Sequence, residues 1–97
     1  MGIMIAYDIK GIHEGDSQAY NRRVQALAIF GKYGLTAYAG KVRLPDTTVV
    51  GAGVSQDPHL LLKTLFDELT KAGINVERLA VARYQASDFA VFGPADK

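Results

Sequence analysis

At 97 residues with 48% hydrophobic content, the chain has room for one small domain, residues 1–97, and a single core. Eleven Lys and Arg against ten Asp and Glu leave a net charge of +1, which excludes a strongly basic nucleic-acid clamp but allows a local basic patch. The absence of cysteine excludes disulfides and thiolate metal sites, and no apolar stretch approaches the roughly 18 residues that span a bilayer, so no membrane partner is expected.

The elements follow in chain order. Residues 3–8 are apolar on both strand faces, as expected of a central strand covered by helices on one side and by a partner on the other. Lys10 to Asp16 reads as a loop punctuated by Gly11 and Gly15, and Asp16 or Ser17 can cap the helix that follows. Tyr20, Val24, Leu27 and Gly31 share a face of that helix at helical spacing, with Lys32 in its last turn and Gly34 as a left-handed stop. Thr36 to Leu44 alternates as a half-exposed edge strand, with Tyr38, Gly40, Val42 and Leu44 on one side.

Pro45-Asp46 turns the chain into a buried third strand, Thr47 to Val54, whose Gly51 and Gly53 permit close approach. Asp57-Pro58 then gives an N-cap with proline at the first helical position. Leu61, Leu62, Leu65 and Leu69 form the stripe of the second helix, which Lys71 and Gly73 end. Val76 to Tyr84 is a fourth strand, and Phe89 to Phe92 is a short apolar tail read as a possible extra strand.

The order strand, helix, strand, strand, helix, strand with right-handed crossovers predicts an α+β fold. It is the ferredoxin-like βαββαβ sandwich, an antiparallel sheet with both helices on one face and strand order fourth, first, third, second. An open parallel sheet would need another helix between the second and third strands, and Pro45-Asp46 leaves no room for it. The other face of two apolar central strands then stays uncovered, so a homodimer is expected, with Phe89 to Phe92 adding to the partner's sheet.

This topology gathers Asp8, Asp16, Asp46 and Glu77 along one rim, with His13 and Glu14 on the adjoining loop. Oxygen ligands of that kind suit Mg²⁺, and Asp8 and Asp46 are its candidate ligands. Asp8 and His13 are the candidate catalytic residues, His13 as a general base if its loop folds over the rim. Each acid also has a plain structural reading, as helix cap, turn residue or solvated charge, but a carboxylate directly after a buried strand needs a partner. His59, in the first turn of a helix, reads as an exposed side chain. Arg22 and Arg23 early in the first helix are candidate phosphate ligands. Tyr7, Tyr38 or Tyr84 on the open sheet face would suit single-stranded bases, although neither the paired aromatics of an RNA recognition motif nor a glycine-rich phosphate loop is present.

Tyr7-Asp8-Ile9 closing the first strand, Arg22-Arg23-Val24 in the first helix and Tyr33-Gly34-Leu35 before the second strand carry a family resemblance. They resemble the small CRISPR-associated adaptation nuclease family and its VapD relatives. The layout, in particular the hairpin Gly40 to Val54 and the segment Ala86-Ser87-Asp88-Phe89, is similar to the GhoS type of toxin–antitoxin endoribonuclease. The resemblance implies a ferredoxin-like homodimer acting on RNA or DNA, with Asp8 at the position of the metal-linked acid. Where the CRISPR-associated family has a Phe-Glu-Gly-like ending, this chain reads Tyr38-Ala39-Gly40. Two functions therefore stand side by side. One is a cytoplasmic, Mg²⁺-dependent endoribonuclease of toxin–antitoxin or CRISPR-associated type. The other is a non-catalytic dimeric binding protein, such as an antitoxin, a scaffold or a phage-encoded inhibitor of a nucleoprotein complex.

Overall fold

Burial along the first strand alternates with the two-residue period of an extended chain. In β1 (Gly2–Ile9), Ile3, Ile5, Tyr7 and Ile9 are buried while Ala6 is exposed and Met4 and Asp8 are half-buried. One face of this strand is therefore core and the other is open, although the residues are apolar on both. The computed structural model describes residues 2–10, 17–45, 47–53, 56–85, 87 and 89–93. His13, Glu14, Asp16 and Asp46 lie outside the described residues.

Helix α1 (Ser17–Lys32) buries Ala26, Ile29 and Phe30, with Leu27 half-buried against the core. Val24 and Gly31, expected on the inner face, are exposed. The largest apolar side chain decides the helix's rotation, and Phe30 meets Tyr7 of β1 with ring centroids 4.8 Å apart. Gly34, at φ +79, ends the helix; its N–H bonds to Gly31 and that of Leu35 bonds back to Phe30. This is a Schellman stop, and the buried Leu35 supplies its apolar contact.

The predicted edge strand Thr36–Leu44 is instead a tight hairpin, β2 (Tyr38–Ala39) against β3 (Val42–Arg43). Gly40 stands at φ +64 in the first position of its two-residue turn, a conformation that favours glycine and folds the chain back on itself. Only Thr36 remains on the main sheet, exchanging both backbone hydrogen bonds with Val50 at 2.8 Å. The third predicted strand is β4 (Thr48–Gly51), shorter than expected because Ala52 and Gly53 already turn.

Asp57 caps α2 (Pro58–Lys71) by accepting from the His59 N–H at 2.8 Å, with Pro58 in the first turn where its missing N–H is not needed. Leu61, Leu65 and Leu69 are its buried stripe. Gly73, at φ +83, and Ile74 repeat the Schellman stop of α1. β5 (Val76–Tyr84) completes the main sheet, in the order β4-β1-β5, antiparallel throughout. The chain is thus an α+β domain with a three-stranded antiparallel sheet, and one core cluster joins Ile3, Ile5, Tyr7 and Ile9 to the buried residues of both helices. Phe89–Gly93 forms no strand: the Phe89 ring stacks on Tyr84 at 4.7 Å, and Gly93 approaches the Val42 side chain.

Candidate functional site

Asp8 owes its position to register. The antiparallel pairing of β1 and β5 places Arg78 directly across from it, so both side chains leave the sheet on the same open face. The guanidinium donates through Nε at 3.2 Å and Nη2 at 3.0 Å, both to the Asp8 Oδ2. The pair is exposed, with 80% of the Arg78 side chain and 43% of the Asp8 side chain accessible. Immediately beyond it the ladder slips, Ile9 pairing with Val76 and Glu77 left without a β1 partner. Beside the pair lies a depression of about 290 Å³, lined by Ala6, Tyr7, Asp8, Thr47, Arg78 and Ala80.

Thr47 forms the far wall of this depression at φ +62, a left-handed conformation unfavourable for a β-branched residue. Its carbonyl accepts from the Tyr7 N–H at 3.0 Å, which continues the β1–β4 ladder one step past the Ala6–Thr48 pair. The turn after Asp46 therefore comes to the end of the first strand, as the predicted topology requires.

Arg22 and Arg23 are half-buried on α1, and the cation lining the depression is Arg78. Tyr7 turns inward onto Phe30, Tyr38 is on the hairpin, and Tyr84 stacks on Phe89, so the floor beside Asp8 is the small pair Ala6 and Ala80 rather than an aromatic platform. No group of three acids or histidines suited to a metal occurs among the described residues. His59 is exposed, as the sequence suggests. Arg78 was legible as a strand residue, but its role is not: only the antiparallel count backward along β5 brings it opposite Asp8.

A second polar cluster ties the helices together. Lys32 donates to Glu68 Oε1 at 2.8 Å, and the Tyr33 hydroxyl donates to Oε2 of the same carboxylate. The hydrogen bond from Lys32, followed by that from Tyr33, holds the Glu68 carboxyl below its ordinary range. The same bond to Glu68 pushes the Tyr33 hydroxyl up. This site is structural, joining the end of α1 to the last turn of α2. No family model matches the chain, and neither a curated protein nor a solved structure matches it.

Proposed function

We propose that the chain is a non-catalytic, dimeric binding protein of the antitoxin or scaffold kind, built on a ferredoxin-like arrangement and working in the cytoplasm. The observation that carries this reading is the Asp8–Arg78 pair. The partner that a carboxylate after a buried strand requires is an arginine of the same chain, and an acid engaged by a guanidinium serves as a surface determinant. The ferredoxin-like arrangement is supported by Thr36, which bridges to the outer edge of β4 where a second strand would lie. That contact extends the order β5-β1-β4 in the sense the fold requires.

The second reading is a metal-dependent endoribonuclease, favoured by the exposure of Asp8 in a depression next to the strained Thr47. In that reading Asp8, with Asp46, would hold Mg²⁺, which offsets charge on a phosphodiester, and Arg22, Arg23 or Arg78 would hold the phosphate. One experiment separates the two: incubation of the pure protein and of Asp8→Asn with single-stranded RNA, in Mg²⁺, in Mn²⁺ and in chelator. The binding reading expects no cleavage from either protein under any condition. Metal-dependent cleavage by the wild type that Asp8→Asn abolishes would replace it with the nuclease.

A further inference from the structure

The two edges of the main sheet are finished differently. Beyond β4, Thr36 takes up both backbone groups of Val50, and the chain then folds away into the hairpin. β5 is nine residues long and has β1 as its only strand neighbour among the described residues. Its middle, Leu79-Ala80-Val81-Ala82, carries no charge and no proline, the devices that usually keep an edge from pairing. The described residues after β5 lead away from this edge, Phe89 stacking on Tyr84 and Gly93 lying at Val42 of the hairpin. Beside the same edge, Leu62 and Phe66 of α2 with Val76 and Leu79 of β5 floor a groove of about 310 Å³, rimmed by Lys63 and Glu77. Phe66 is 46% exposed there.

We infer that β5 pairs antiparallel with β5 of a second copy of this chain, in the register that places Ala80 on the two-fold axis. Charge selects that register. Paired residues on antiparallel strands share a face, so a symmetric pairing must centre on a residue. Centred on Ala80, Glu77 comes level with Arg83 of the other copy, twice by symmetry, while Leu79 meets Val81 and Arg78 meets Ala82; the bulge takes Val76 out of this count. Centred one residue earlier, Glu77 meets Val81; one residue later, Arg83 meets Leu79. Only the Ala80 register matches the acid with the base.

Both groups are available for it. Glu77 is exposed and, at the bulge, has no place in the β1 ladder. Arg83 is exposed and, among the described residues, makes one long contact, 3.4 Å from Nη2 to the Gln56 carbonyl. Pairing in this way joins two three-stranded sheets into one of six and brings the two Phe66 grooves alongside the axis on the helix side.

The inference rests on the dimeric part of the proposed function and specifies its geometry. Sequence makes a direct test possible, because the chain has no cysteine. Residues facing each other across antiparallel strands have Cα atoms about 4.5–5.5 Å apart, inside the roughly 4.4–6.8 Å range of a disulfide. Under mild oxidation Ala80→Cys is expected to form a disulfide-linked dimer. Ala82→Cys is not, since its own mate is offset by four residues, about 13 Å along the strand. In sedimentation equilibrium, Glu77→Arg and Arg83→Glu are each expected to weaken the dimer about tenfold, two like-charge pairs replacing two opposite ones, and the double variant to restore it. A dimer in which Ala80→Cys does not cross-link, or cross-links no faster than Ala82→Cys, overturns this register and leaves the dimeric reading in place. A wild-type monomer at high micromolar concentration overturns both.

Discussion

Asp8 and Arg78 are 70 positions apart in sequence and share a single carboxylate oxygen. Their exposure decides what the contact is worth: ion pairs this accessible are screened by water and contribute less than about 1 kcal/mol. Asp8→Asn is therefore expected to fold normally, with an unfolding free energy within about 1 kcal/mol of wild type by urea titration. A larger loss would mark Asp8 as a structural anchor. Thr47, across the depression, is the opposite case, a residue whose backbone costs stability. Asparagine tolerates the left-handed region better than a β-branched residue, so Thr47→Asn is expected to raise stability by up to about 1 kcal/mol. In a domain of this size that is a rise of roughly 4–8 °C in Tm per kcal/mol. A fall in Tm would mean that the threonine side chain compensates its own strain.

At the scale of elements, the helices are joined by more than apolar packing. Glu68 of α2 accepts from Lys32 at the end of α1 and from Tyr33 just past it. The Glu68 carboxyl is held below its ordinary value of 4.5, so its contribution is present above that value and is lost as pH falls through the lower folded value. The Tyr33 hydroxyl is pushed above its ordinary value of 10.0, so its contribution is present below that value and is lost as pH rises through the higher folded one. Denaturant midpoints followed across pH should fall at both ends. Glu68→Gln should remove this group's part of the acid limb, and Tyr33→Phe its part of the alkaline limb. Unchanged limbs in both variants would show that the cluster does not couple to folding.

As a whole the molecule is thin, 37 × 33 × 19 Å, the depth of one sheet and one helix layer. Among the described residues, the helix stripes and the inner face of β1 bury into one core cluster, and Leu65, with 0% exposure, belongs to it. Leu65→Ala is expected to cost about 2–5 kcal/mol, because a two-layer core has little slack with which to close the cavity. That is a large share of the roughly 5–15 kcal/mol total of a typical domain, so the variant should be substantially unfolded well below the wild-type Tm. A loss under about 1 kcal/mol would mean that the helices re-seat on the sheet.

The sequence alone was sufficient for features that depend on near neighbours. Asp57-Pro58 starts a helix by its own chemistry, Gly34 and Gly73 stop helices by adopting a positive φ, and the Leu61, Leu65 and Leu69 spacing names the buried face of α2. Where two periodicities compete, local pattern was not enough. Thr36–Leu44 alternates like a strand, yet the conformational freedom of Gly40 closes it into a hairpin, and α1 turns to bury Phe30 rather than Val24 because Tyr7 offers the ring a partner. The candidate site was legible in one residue. Asp8 at the end of a buried strand announces the need for a partner, but the partner is chosen by β1–β5 register, a long-range property that no local spacing encodes. Among the described residues, register also leaves the β5 edge without a second strand while Thr36 covers the β4 edge, because pairing depends on which backbone groups other strands have already taken.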